Sequence, residues 1–175
     1  MSSREEIKIV FLGESMVGKT NIISQFNEGK FDSNSQQSLT AQFFRKEIIL
    51  TDKSTFTLDL LDTAGGEKYR SLARIFFKNA KAVILVYDST NEKSFKEPKE
   101  FWYNQVKDIK QLVIAVAANK CDLAEKKVKD EEGKEFADSI GAIFASISAK
   151  ENIGITELVQ KVVEAIKNEM NKKNN

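Results

Sequence analysis

One junction constrains this chain more than any other feature. The largely apolar run at 7–12 leads without a spacer into Gly13-Glu14-Ser15-Met16-Val17-Gly18-Lys19-Thr20, and a helical period opens at Lys19 and continues to Gly29. A strand that turns through glycines straight into a helix belongs to a sheet wrapped by helices. The rest of the chain repeats the alternation. Apolar strand candidates follow at 81–88, 111–118 and 142–147, and helical periods at 68–79, 92–108, 129–140 and 155–170. The expected fold is therefore α/β with a mostly parallel sheet. Two further runs, 43–50 and 55–61, alternate apolar and polar residues across a Thr51-Asp52-Lys53-Ser54 turn. They predict a hairpin that leaves one antiparallel edge strand, for six strands and about five surrounding helices in all. The segment 31–42 is polar, aperiodic and too long for a simple connection, and it reads as a mobile functional loop.

The same junction carries the first chemical signal, because its spacing is G-x(4)-G-K-T in the strand-to-helix context that the phosphate-binding pattern requires. Glycines let successive N–H groups converge on phosphate oxygens, and the helix N-terminus adds positive potential. Lys19 is placed to bridge β- and γ-phosphates, and the Thr20 hydroxyl to ligate Mg²⁺. Gly13, Glu14, Ser15, Met16, Val17 and Gly18, with Asn21 in the following turn, complete the expected cofactor-binding set of this P-loop.

Composition narrows the chemistry further. The 175 residues contain no histidine, which removes Ser-His and Cys-His nucleophiles, His-ligated metals and the usual pH switch. Cys121 is the only cysteine, so no intrachain disulfide forms and a reducing intracellular compartment is expected. Lys plus Arg (27) nearly cancels Asp plus Glu (26), leaving no field that would gather nucleic acid or an anionic membrane. No apolar run approaches the roughly 18 residues of a membrane helix, and the opening MSSREEIKIV has no secretory apolar region. One domain over 1–175 is expected, with a flexible tail starting at 171.

Three more elements stand at strand ends. Asn119-Lys120-Cys121-Asp122 resembles the N-K-x-D guanine motif. Asp122 can accept from guanine N1–H and the 2-amino group, a donor pair that adenine lacks. Asn119 is placed to tie this loop to the P-loop and the Lys120 stem to lie along the purine face, with Leu123 beside them. Asp62-Thr63-Ala64-Gly65-Gly66-Glu67 resembles the D-T-A-G-Q-E element of Ras-superfamily GTPases. The resemblance implies that Asp62 holds Mg²⁺ through a water and that the Gly65 N–H meets the γ-phosphate. Ser148-Ala149-Lys150 resembles the S-A-K element, which implies an Ala149 N–H facing guanine O6.

In this order from Gly13 to Lys150, the four elements identify the chain as similar to Ras-superfamily small GTPases, specifically Rab-type ones, with the P-loop NTPase (small G domain) fold. Tyr69-Arg70-Ser71-Leu72 and residues 82–95 are most similar to the endosomal Rabs. The resemblance implies GTP/GDP and Mg²⁺ as ligands. It also implies GTP hydrolysis with Lys19, Gly65 and position 66 as catalytic positions, and a switch that recruits effectors for vesicle trafficking. The implied partners are a guanine nucleotide exchange factor, a GTPase-activating protein and effectors, the last through residues about 31–44 and 65–77. Rab-type proteins typically end in prenylated cysteines. A cytoplasmic protein peripheral on endosomal or other vesicle membranes is expected if the native chain carries such a tail.

The departures from the family pattern are as informative. The family's switch-one threonine falls on Ser38, with Thr40 two residues later; Ser38 keeps the hydroxyl for Mg²⁺ and is the favoured ligand. Phe31 falls where the family packs a phenylalanine edge-on against guanine, the favoured reading over an anchor for its own loop. The Rab effector triad maps to Phe43, Leu61 and Phe76, so the usual tryptophan is a leucine, which is either an altered partner contact or plain core. Trp102 lies away from the switches and reads as partly buried packing. Most consequential is Gly66, where the family has the glutamine that orients the attacking water. The expectation is slow intrinsic hydrolysis or, alternatively, a GTP-bound recruiting module with negligible turnover.

Overall fold

The computed structural model describes residues 5–65 and 67–173, with 67–69 described by their backbone alone. The strands are β1 (Glu5–Leu12), β2 (Gln42–Ile49), β3 (Thr55–Asp62), β4 (Ala80–Asp88), β5 (Val113–Asn119) and β6 (Ile143–Ser146). They form one sheet in the order β2-β3-β1-β4-β5-β6. Only β2 runs antiparallel, against β3, and every other pairing is parallel. The expected six-stranded α/β fold with one antiparallel edge is the observed one.

The helices are α1 (Lys19–Glu28), α2 (Ala73–Phe77), α3 (Glu92–Glu97), α4 (Tyr103–Val106), α5 (Asp130–Ser139) and α6 (Ile155–Lys173). A 3₁₀ turn at Glu67–Leu72 precedes α2, so the helix expected at 68–79 is two short pieces. The helix expected at 92–108 is also interrupted, by a π-helical turn at Pro98–Trp102 between α3 and α4. Pro98 has no N–H to give to the ladder, and the Tyr103 N–H donates to the Pro98 carbonyl five residues back. This turn folds the buried Glu97 carboxylate under Trp102, whose Nε1 donates to Oε2 at 3.4 Å. The other oxygen receives the Arg70 guanidinium, which also lies over the Phe101 ring at 4.5 Å. At the far end, α6 continues to Lys173, three residues into the tail expected from 171.

Side chains alternate across the sheet with period two. Ile7, Ile9 and Phe11 of β1, with Leu58, Leu60, Ile84 and Val86, face α1 and α6. Val10 and Leu12, with Leu61, Val83, Leu85 and Tyr87, face α2 to α5. Strands covered on both faces read as continuous apolar runs, which is why β1 and β4 stand out in the sequence. Edge strand β2 alternates instead, with Ile48 buried and Phe43 and Ile49 exposed. The parallel strands all end at one edge of the sheet. There β1 places Phe11 beside Asp62 of β3, and β4 places Asp88 beside Asn119 of β5.

Candidate functional site

At that edge the loops after β1, β3, β5 and β6 surround a cavity of about 330 Å³. Crevices at the carboxyl ends of parallel strands are the usual ligand sites of open α/β sheets. The phosphate end is built first from Lys19, which is 5% exposed. Its ammonium donates to the carbonyls of Gly13 and Glu14, each at 2.9 Å, and is thereby held across the mouth of the loop. Burial pushes the Lys19 ammonium down to about 8, against the opposing pull of the Asp62, Glu97 and Glu14 carboxylates. A buried cation this depressed in pKa is poised to gain from anionic oxygens.

Next to it three oxygens converge. The Thr20 hydroxyl donates to Asp62 Oδ2 at 2.6 Å and lies 2.8 Å from the Ser38 hydroxyl. Asp62 is 1% exposed and its Oδ1 has no hydrogen-bond partner. Burial raises the Asp62 carboxyl, opposed by Thr20, Lys19 and Ser38. Hard oxygen donors gathered this closely, one of them an orphaned carboxylate oxygen, are the chemistry that suits Mg²⁺. Ser38 is the residue brought to Thr20, while Thr40 is exposed and outside this cluster.

Gly65 closes the phosphate end. A Cβ there would stand 2.3 Å from Ser15 N and 2.7 Å from the Glu14 carbonyl carbon, so only glycine lets this backbone approach the P-loop. Gly66, the position with the largest expected effect, lies outside the described residues.

The base end is held by Asn119, buried to 1%. Its Nδ2 donates to the Val17 carbonyl at 2.8 Å, so the expected tie between the guanine motif and the P-loop is present. Its Oδ1 accepts the Ala149 N–H at 3.1 Å. The Ala149 amide, which the resemblance aimed at guanine O6, is thus engaged within the protein in this structure, because a buried N–H pairs with the nearest acceptor. Asp122 Oδ1 accepts from the Ser148 hydroxyl at 2.7 Å, which fixes the carboxylate at the cavity wall. Lys120 pairs with Asp88 at 2.6 Å and donates to the Met16 carbonyl at 3.1 Å, stretching its stem along the cavity.

Ser15, Met16, Gly18, Lys19, Thr20, Asn21 and Phe31 line the cavity, as do Ser38, Gly65, Asn119, Lys120, Asp122, Leu123, Ala149 and Lys150. Gly13, Glu14, Val17, Asp62 and Ser148 stand behind that wall and act by support: Gly13 and Glu14 through their carbonyls, Val17 as buried core, Ser148 through Asp122. Asn21 grips the loop expected to be mobile, with its amide on the Asp32 carbonyl at 3.0 Å and on Ser35 Oγ at 3.1 Å. Three supports escaped the sequence reading. Gln25 donates to the Ala149 carbonyl at 2.8 Å, Asp88 holds Lys120, and Gln37 donates to the Gly65 carbonyl at 3.4 Å. A polar Gln25 one turn after Asn21, on the buried face of α1, was the available signal for the first.

Of the three effector positions, Leu61 is corrected to core. It is 2% exposed and packs with Ala73 and Phe77, because β3 is covered on that face by α2. Phe43 is 63% exposed and Phe76 partly buried, and the neighbouring exposed apolar residues are Leu39, Leu72 and Ile75. Trp102, expected to be partly buried, is 2% exposed. Among the described residues, no helix is long and apolar enough to cross a membrane.

The family model described as Ras family matches residues 8–168. The chain is a member of the Ras family. This Ras-family chain is 39% identical over 159 residues to the Ras-related protein Rab-22A of Homo sapiens, covering 87% of this chain and 79% of that protein. It is 36% identical over 165 residues to the Ras-related protein Rab-31 of Mus musculus, covering 93% of this chain and 84% of that protein. It is thus a Rab-type small GTPase, in a family whose members bind GTP and GDP with Mg²⁺, hydrolyse GTP and work with exchange factors, activating proteins and effectors.

Proposed function

We propose that this chain is a guanine-nucleotide switch that hydrolyses GTP slowly and, in its GTP-bound state, recruits effectors for vesicle trafficking. The observation that carries the reading is Asn119. One buried carboxamide joins the P-loop at Val17 to the loops bearing Asp122 and Ala149, so phosphate recognition and base recognition are parts of one site. Asp122 selects guanine through its two donors and leaves its charge unpaired against adenine. Lys19 and the P-loop amides hold the β- and γ-phosphates, and the Gly65 N–H meets the γ-phosphate. Thr20 and Ser38 would hold Mg²⁺ directly and Asp62 through a water, and the ion would supply charge neutralisation to the phosphate oxygens.

The slow rate follows from Gly66, which brings no side chain to the attacking water. Losing one oriented polar group in a transition state costs roughly 10- to 1,000-fold in rate. Nucleotide binding depends on other residues and stays near normal. The loop 31–42 and the segment 65–77 change with the γ-phosphate through Ser38 and Gly65, and the surface of about 31–44 and 65–77 presents Phe43, Leu39, Leu72 and Ile75 to effectors. An activating protein that supplies both an arginine and a glutamine accelerates such an enzyme in trans. If the native chain carries a prenylated tail, attachment to endosomal or other vesicle membranes is peripheral, through that tail. The second reading, a recruiting module with negligible turnover, is favoured by the same Gly66.

Phosphate release from protein preloaded with GTP tests the reading, measured for the natural chain and for Gly66→Gln. The substitution should raise the rate at least several-fold with little change in GTP affinity. An unchanged rate moves the conclusion to the recruiting module, and equal affinity for ATP and GTP overturns both.

A further inference from the structure

We propose that Gln37 is a catalytic residue, whose carboxamide orients the attacking water from the loop before β2 in place of the side chain that Gly66 lacks. The proposal rests on the hydrolysis reading above. Gln37 and Gly65 line the same cavity as Lys19 and Thr20. Gln37 Nε2 donates to the Gly65 carbonyl at 3.4 Å, directly before the position where family members carry their glutamine. The acceptor is fixed, because the Gly65 backbone sits against Ser15 too closely for any Cβ. The donor's chain is fixed on its other side, because the adjacent Ser38 hydroxyl lies 2.8 Å from Thr20 Oγ1. Gln37 therefore bridges the segment that carries the Mg²⁺ oxygens and the segment that meets the γ-phosphate.

What the carboxamide keeps in hand is the decisive chemistry. After one N–H is given to Gly65, a second N–H remains to donate to a γ-phosphate oxygen. Its Oε1 accepts no hydrogen bond from the described residues and remains to take a proton of a water. A water held by Oε1 turns a lone pair toward phosphorus. In the reaction the water oxygen bonds to the γ-phosphorus, and the bond from phosphorus to the β–γ bridging oxygen breaks with its electron pair leaving on GDP. One of the water's protons stays on the attacking oxygen and the other passes to a phosphate oxygen, so both leave on the released phosphate. Two other hydroxyls of the cavity wall are committed elsewhere: Ser35 to Asn21, and Thr20 to Asp62 and Ser38. Gln37 is exposed and held by one long hydrogen bond, so its effect should be about tenfold, the equivalent of a single neutral hydrogen bond.

The test is single-turnover hydrolysis with a parallel measurement of GTP affinity, on the natural chain, Gln37→Ala, Gly66→Gln and the double variant. Gln37→Ala should slow hydrolysis about tenfold with affinity held within about twofold. Gly66→Gln should raise the rate by a larger factor in the Gln37→Ala background than in the natural chain, because both side chains serve the same water. A Gln37→Ala rate within twofold of the natural one overturns the proposal, as do two effects that simply multiply. If the natural chain releases no phosphate while Gly66→Gln does, Gln37 is no substitute but the site reading stands. If neither releases phosphate with GTP tightly bound, the hydrolysis reading fails, and the proposal with it.

Discussion

Replacing Asn119 by alanine should uncouple the two halves of the site. The carboxamide donates to the Val17 carbonyl at 2.8 Å and accepts the Ala149 N–H at 3.1 Å, and it is 1% exposed. Truncation leaves both backbone groups buried without partners, at about 1–3 kcal/mol each, or about 2–6 kcal/mol for the pair. The space is specific to this side chain: a Cβ on Gly18 would stand 2.4 Å from Asn119 Nδ2. Because the tied segments line the nucleotide cavity, the loss should appear in nucleotide retention as well as in folding. The dissociation of a fluorescent GDP analogue should quicken at least about 30-fold, the low end of that range, with a parallel fall in unfolding temperature. Asn119→Asp should do no better, since it sets a carboxylate oxygen against the Val17 carbonyl while keeping the acceptor for Ala149. An Asn119→Ala off-rate within twofold of the natural one would refute the bridging role.

Two further expectations rest on other parts of the molecule. Glycine to alanine within a helix normally stabilises by about 0.5–1 kcal/mol. At Gly133 in α5, however, a Cβ would stand 2.2 Å from Tyr87 Oη and 2.7 Å from Phe144 Cε2. Gly133→Ala should therefore destabilise by about 1–3 kcal/mol, lowering Tm by about 2–4 °C per kcal/mol, and a raised Tm refutes the contact. Lys19 titrates near 8 in the protein without phosphate, and phosphate oxygens raise its pKa on binding. The charge is present in both states below that value, whereas above it binding takes up a proton. Nucleotide affinity should thus fall as pH rises beyond 8, by up to about tenfold per unit. Calorimetry at about pH 8.5 in two buffers of different ionisation enthalpy checks this, and zero proton uptake refutes it.

The α/β class, the antiparallel edge and the positions of Lys19, Thr20, Asn119 and Asp122 could all be read from residue order. The reason is local: a period of two or 3.6 residues, and a glycine turn between strand and helix, are properties of neighbouring residues. The α6 boundary was misplaced because Asn171, Lys172 and Lys173 are polar residues that a helix carries easily, and polarity alone looks like a tail. Pro98 could be seen in the sequence, yet its π turn could not. Through that turn Glu97 meets Trp102, and Arg70 reaches the same carboxylate from 27 residues earlier, a contact that residue order does not show. Leu61 is buried with Ala73 and Phe77 of α2, while its cross-strand neighbour Phe43, on edge strand β2, is exposed, a matter of which layer packs where. The sequence by itself named the residues proposed to recognise phosphate and guanine, since those motifs are contiguous. The Ser38–Thr20 contact and the tie of Asn119 to the P-loop match the sequence reading, whereas only the tertiary structure decided that Asn119 also takes the Ala149 amide and that Gln37 reaches Gly65. Each of these is a hydrogen bond between segments that become neighbours only when parallel strands align their ends.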